Sequence, residues 1–193
     1  MKNIKLIAFL FLTLMIFTNC DDCEIENIYG PANPTEFQTI FQSLVNDGND
    51  DRISYDTEIH EYSFSLTQSK ELCKIGYQSY SEIKDRPYLI EIEDTDAGVI
   101  IYSDEHIFDS GQTSYVKTTS TIKLDPNTIY TIRRIQTDWD PYISNTIGRI
   151  VRIDESSLPY SEGIMTITAS NFYQNGGPIP NRGIPYIDLI LKD

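Results

Sequence analysis

The stretch from Thr121 to Gln136, TIKLDPNTIYTIRRIQ, constrains the fold more than any other in this chain. Ile122 and Leu124 alternate with polar neighbours, Asp125-Pro126-Asn127 carries turn chemistry, and a β-branched run through Tyr130 and Ile132 follows. The reading is strand, sharp corner, strand. Leu124, Pro126, Thr128 and Tyr130 fall two residues apart, which sets Tyr130 near the start of the second strand. A plain hairpin with an exposed tyrosine is the alternative.

Strands recur at intervals of roughly ten residues, as in an all-β sandwich. They are read at Glu61–Leu66, Leu72–Tyr77, Tyr88–Glu93, Val99–Tyr102, Ser114–Leu124, Ile129–Gln136, Ile147–Ile153, Ile164–Ser170 and Tyr186–Leu191. No long amphipathic helix interrupts them, which excludes a parallel βαβ plan. These nine strands exceed a seven-stranded module. The expected fold is therefore all-β, an antiparallel two-sheet β-sandwich of jelly-roll type with a tyrosine-corner-like turn. Ahead of it, Phe37, Ile40, Phe41, Leu44 and Val45 lie at helical spacing behind a candidate Thr35 N-cap, so Thr35–Val45 reads as a short helix. An extended course along the first strand is the other reading.

The N-terminus divides the chain. Lys2 and Lys5 precede a continuous apolar run from Leu6 to Phe17, too short for a membrane span and right for a secretory core region. Phe17-Thr18-Asn19-Cys20 follows. It resembles the lipobox of bacterial lipoproteins, in which the cysteine is lipidated and becomes the new terminus. Phe17 stands where the pattern has Leu, and Asn19 where it has a small residue; ordinary secretion or an uncleaved anchor are the alternatives. The resemblance implies a signal peptide over 1–19, an acidic tether over 20–34 and a sandwich over 35–193, held to a membrane by lipid on Cys20. Asp21, Asp22, Glu24 and Glu26 crowd that terminus. They resemble the signal that sends lipoproteins to the outer surface of some Gram-negative bacteria, and a solvated tether has the same composition. Outer-membrane attachment with surface display is the expectation.

The 193 residues carry a formal charge of −14, and without Lys2 and Lys5 the balance is 13 basic against 29 acidic residues, or −16. Such a chain lacks the basic patch that nucleic acid or anionic lipid requires. With Cys20 in the lipobox, Cys23 and Cys73 remain as an even pair in an oxidising compartment. They are a candidate disulfide clipping the tether to the first sheet, though Cys73 also fits as a small buried hydrophobe.

Asp47, Asn49, Asp51 and Glu58 occupy positions 1, 3, 5 and 12 of a calcium-loop template. Arg52 stands where that template needs Gly, and Ser54 where it needs an apolar packing residue. A polar surface loop is the better reading, with calcium as the minor one and no other cofactor expected.

The succession IGYQS, PYLIEIED, VIIYS, TIKLDPNTIYTIRRI and GIPYIDLILK, from Glu61 to Lys192, is similar to a family of extracytoplasmic bacterial jelly-roll modules. Its members are domains of unknown function found beside glycan-active or adhesive surface proteins. The corner itself resembles the tyrosine corner of immunoglobulin-like and fibronectin-type sandwiches, and the resemblance implies that the Tyr130 hydroxyl turns back onto the backbone just upstream, where the chain crosses between sheets. Family members carry Trp in the middle strands and near the end, whereas this chain's one Trp is Trp139. The resemblance therefore implies a setting and a fold, and no functional residue is carried over.

For catalysis the chain offers two histidines, His60 and His106, and none of the nucleophile-elbow, zinc-helix or glycine-loop motifs. A pair of carboxylates for a glycoside hydrolase carries no sequence signature, so that remains the minor alternative. Binding is the stronger expectation. Thr137–Asn145, TDWDPYISN, sets Trp139 and Tyr142 between and beside Asp138 and Asp140. Sugar faces stack on aromatics and sugar hydroxyls pair with carboxylates, so this composition suits a glycan platform, although a Trp plugging the end of the core has the same signature. Asn171–Pro185 adds Tyr173 and Arg182 on a Gly- and Pro-rich loop. The expected function is a non-catalytic binding module for glycan or another envelope component; a structural or adhesive subunit of a surface protein complex is the alternative.

Overall fold

The structure is a computed structural model that describes residues 31, 33–54, 57–141, 148–174 and 177–192. The leader, Cys20, Cys23, the acidic run and Tyr142 lie outside these residues.

The chain opens on helix α1 (Glu36–Asn46). Its start is set by a capping box: the Gln38 amide donates to Thr35 Oγ1 at 3.0 Å, and the Thr35 amide donates to Gln38 Oε1 at 3.3 Å. Phe37, Ile40, Phe41 and Leu44 form its buried face. The helical reading of this stretch holds, and the extended one does not.

Among the described residues thirteen strands follow: β1 (Asp50–Ser54), β2 (Ile59–Leu66), β3 (Lys70–Tyr77), β4 (Tyr88–Asp94), β5 (Val99–His106), β6 (Ser114–Leu124), β7 (Tyr130–Ile135), β8 (Gly148–Arg152), β9 (Tyr160–Glu162), β10 (Met165–Gln174), β11 (Gly177–Pro180), β12 (Gly183–Pro185) and β13 (Asp188–Lys192). Every expected strand has its counterpart among these. The four that the pattern misses are short or lack its signature. β1 reads DDRIS, with one apolar residue, while β11 and β12 carry prolines, which cannot donate to a ladder.

All pairings are antiparallel. The seven-stranded sheet runs β11-β10-β2-β7-β4-β5, with β9 also on β10. Two three-stranded sheets, β13-β3-β6 and β1-β8-β12, complete the sandwich. Their inner faces share one core, in which Leu72, Ile75, Leu124 and Leu189 meet Phe64, Ile90, Ile92 and Ile132, with Val151 and Ile184 from the third sheet. Tyr77 of β3 meets Tyr88 of β4 edge to face at 5.2 Å. On one flank Phe37 of α1 stacks on Tyr62 of β2 at 5.2 Å, so the helix closes the core there.

The corner joins two different sheets. β6 belongs to the β13-β3-β6 sheet and β7 to the seven-stranded one. Between them Asn127 takes a left-handed conformation at φ 62°, and the Asp125 amide donates to Tyr130 Oη at 2.8 Å. This is the arrangement that the resemblance to a tyrosine corner implies, and it supplies an acceptor to an amide that the crossover removes from both ladders.

Candidate functional site

A cleft of about 590 Å³ runs between the polar side of α1 and the paired segments around Arg149 and Tyr186. Gln38, Gln42 and Asn46 stand four residues apart and so share one side of the helix. Gln42 Nε2 donates to Asn46 Oδ1 at 3.1 Å, and these two amides line the cleft, while the Gln38 amide is turned to partners inside the fold. Across from it, Arg149 of β8 lies over the rings of Phe41 at 5.0 Å and Tyr186 at 4.5 Å. Asp51 of β1 holds the same guanidinium through two hydrogen bonds, at 2.9 and 2.7 Å. The Asp51 hydrogen bond raises the Arg149 pKa above its ordinary value, and burial pushes the Tyr186 hydroxyl up to about 12. At neutral pH the cleft thus presents neutral amides, a neutral phenol and one fixed cation on aromatic rings.

Gln38 ties the cleft to a buried carboxylate. Asp188 of β13 is 0% exposed. Its Oδ1 accepts from Thr35 Oγ1 at 2.5 Å and from the Leu189 amide at 2.8 Å. Its Oδ2 accepts from Tyr115 Oη at 2.5 Å and Gln38 Nε2 at 2.7 Å. Burial raises the Asp188 pKa, and these hydrogen bonds oppose the rise without cancelling it. The four donors come from α1, its cap, β6 and β13, so one carboxylate fixes where the helix sits and where the Gln38 amide points.

The residues expected to bind are not brought together. Trp139 is 6% exposed, so its ring lies inside and offers no open face for stacking. Asp138 accepts from Gln136 Nε2 and pairs with Arg86 at 3.3 Å, while Asp140 is exposed. Tyr173 donates instead to Glu61 on the outer face of the seven-stranded sheet, at 3.0 Å. Glu61 also takes Asn171 at 3.0 Å and Arg133 at 2.6 Å. Arg182 pairs with Glu155 at 2.8 Å. Tyr142 lies outside the described residues.

The calcium-template residues are occupied otherwise. Asp47 caps α1 and accepts from Tyr160 Oη at 3.0 Å, Asn49 donates to the Leu44 carbonyl at 2.9 Å, and Asp51 is committed to Arg149. The helix ends at Asn46 and a strand begins at Asp50, so Asn49 and Asp51 flank the start of an extended segment. Among the described residues no three His, Cys, Asp or Glu side chains gather as metal ligands. Cys73 is disulfide-bonded, and the chain's other cysteines, Cys20 and Cys23, lie outside the described residues.

The two histidines sit among aromatics. His60 meets the edge of Phe172 at 5.0 Å, and His106 Nε2 hydrogen-bonds Tyr102 Oη at 2.7 Å. Burial lowers the His106 pKa. Facing His60 in the β2-β7 register is Arg134, which is 0% exposed. Its Nη1 donates to the carbonyls of Glu58 and Thr57 at 3.2 and 3.5 Å, and its carbon centre lies 5.3 and 5.6 Å from the Tyr88 and Tyr77 rings. Nε and Nη2 make no hydrogen bond of ordinary geometry.

No family model, curated protein or solved structure matches this chain. Among the described residues no helix is long and apolar enough to cross a membrane.

The cleft residues escaped the sequence reading because they are assembled from α1, β8 and the run before β13. One signal was present: amides at positions 38, 42 and 46, on the polar side of a helix whose other side is apolar.

Proposed function

We propose that this chain is a lipid-anchored cell-envelope protein whose sandwich is a non-catalytic binding module for glycan or another hydroxyl-rich envelope component, and that the ligand sits in the α1 cleft. The observation that carries the reading is the facing of the Gln42 and Asn46 amides against Arg149 laid on Phe41 and Tyr186, on a helix that Gln38 holds to Asp188. Amides give paired donors and acceptors for adjacent hydroxyls, and the aromatic rim gives apolar surface for a sugar face. Among the described residues the lining holds no carboxylate, thiol or imidazole. The lipobox and the acidic residues behind it support attachment at the outer membrane with surface display. Retention of the domain starting at Asp21 on immobilised polysaccharides tests this. Retention is expected with and without a chelator, since Asp47, Asn49 and Asp51 are already engaged, and absence of retention on every glycan overturns it. Membrane attachment surviving Cys20→Ser after the leader is cut overturns the anchor.

The second reading, a structural or adhesive subunit, draws on the edge strand β5. Val99 and Ile100 are 53% and 50% exposed there, and an apolar strand edge is a template for pairing with another chain. Under that reading Val99→Lys abolishes co-purification of a partner, and glycan retention is absent.

A further inference from the structure

We propose that the outer face of the β13-β3-β6 sheet is the dock for the chain's own acidic segment, residues 21–30, fastened there by a disulfide between Cys23 and Cys73. The docking does not rest on the glycan reading.

Four observations converge on that face. Ile75, Val116 and Leu189 lie in one cross-strand row against the core, so the next row, Lys74, Lys117 and Ile190, points outward. Cys73, Tyr115 and Ile190 form a small apolar cluster of their own, apart from the main core. Gly76 makes room for it, since a Cβ there would lie 2.5 Å from the Tyr115 ring. Cys73, Ile190 and Lys74 are nevertheless 2%, 7% and 8% exposed, although the described element packing on this face, α1, covers its Asp188 end through Thr35 and Gln38. Something covers the rest.

The disulfide says what. Cys73 is disulfide-bonded, and the chain's other two cysteines are Cys20 and Cys23. A disulfide keeps its two Cα atoms within about 7 Å, so the partner's backbone lies on this face. The face has a place for it. Leu72 pairs with Ile122 while Lys74 pairs with Lys117, so β6 spends Thr118–Thr121 opposite the single residue Cys73. The bulge opens a groove of about 220 Å³ bordered by Cys73, Lys117 and Lys192.

Charge and length agree. The chain carries −14 overall, yet Lys74, Lys117 and Lys192 gather here, and the acid at the rim, Glu71, pairs with Lys192 at 3.3 Å. Residues 21–30, DDCEIENIYG, bring Asp21, Asp22, Glu24 and Glu26 with no basic residue, and Ile25, Ile28 and Tyr29 to cover Ile190 and Tyr115. Twelve steps separate Cys23 from Thr35. At about 3.4 Å each they span roughly 40 Å, ample for a chain whose Thr35 already stands on this same face at Asp188. Cys23 is the partner rather than Cys20 because Cys20 carries the lipid. On that anchor, the leash between lipid and sandwich shortens to the three steps from Cys20 to Cys23, about 10 Å. The basic face is then held toward the membrane, in a fixed orientation.

Peptide mapping of the mature, membrane-extracted protein without reduction tests the link, and hydrogen exchange tests the docking. A Cys23–Cys73 linked peptide is expected, with amides 24–30 exchanging about tenfold more slowly than in the reduced chain. Lys117→Glu with Lys192→Glu should restore fast exchange in 24–30 while leaving β7 as slow as before, which separates undocking from unfolding. A free thiol at Cys73, a bond from Cys73 to another chain, or fast exchange in 24–30 with the bond intact overturns the docking. A Cys20–Cys73 peptide overturns the choice of Cys23 and lipidation of Cys20 together, whatever the glycan result.

Discussion

Asp188 and Arg134 are both fully buried charged side chains, and the sandwich accommodates them in opposite ways. Asp188 accepts four hydrogen bonds from four different segments, and protonation offers it a second way to lose its charge cost. Arg134 is accommodated differently. It rests instead on two carbonyls and the faces of Tyr77 and Tyr88, with two of its nitrogens making no ordinary hydrogen bond. The difference separates a joint from a filler. Asp188 positions the cap of α1 and the Gln38 amide and so shapes the cleft, whereas Arg134 fills volume between two sheets. Each contribution should be measurable by removal.

The largest effect is expected for Asp188→Ala, which strands Thr35, Tyr115, Gln38 and the Leu189 amide at once. A loss of about 3–5 kcal/mol in denaturant unfolding is the expectation, and a loss below about 1 kcal/mol breaks the contrast. Thr35→Ala removes one of the four donors together with the N-cap, for about 1–2 kcal/mol. Arg134→Met keeps the volume and removes the desolvated charge, so its stability should stay within about 1 kcal/mol of wild type. A cost for Arg134→Met equal to that of Asp188→Ala would show that Arg134 is a joint as well.

Titration sharpens the same comparison. Because the folded-state pKa of Asp188 is raised, the folded chain binds its proton more readily than the unfolded chain. The stability from this group is complete below the unfolded carboxylate pKa of about 3.9 and is lost as pH rises through the higher folded value. Measured against Asp188→Asn, wild type should therefore gain relative stability as the pH falls through that window. A relative loss there reverses the assigned shift.

How much of this was legible depended on sequence distance. The corner is local: Tyr130 reaches an amide five residues away, and alternation plus turn chemistry were enough to place it. The α1 cap is local too, with Thr35 and Gln38 three residues apart. The strands carry their own period, except where proline in β11 and β12 hides it. The cleft is different, because Arg149 and Asp51 are 98 residues apart and meet only when β8 pairs with β1. Trp139 misled for a physical reason. Its neighbours Asp138 and Asp140 are polar, and composition cannot tell a ring that faces solvent from one turned in while its neighbours hold the surface. Lys74 hides likewise, as a lysine on an outward row that is buried all the same.

The most direct test of the binding account sets the cleft against the loop. Arg149→Ala and Asp140→Ala, each verified as folded by circular dichroism, are compared with wild type for retention on the glycan that wild type binds best. Arg149→Ala should weaken retention about tenfold or more, through loss of a charged donor, while Asp140→Ala leaves it unchanged. Retention lost in Asp140→Ala and kept in Arg149→Ala would place the ligand at the Trp139 loop and contradict the cleft.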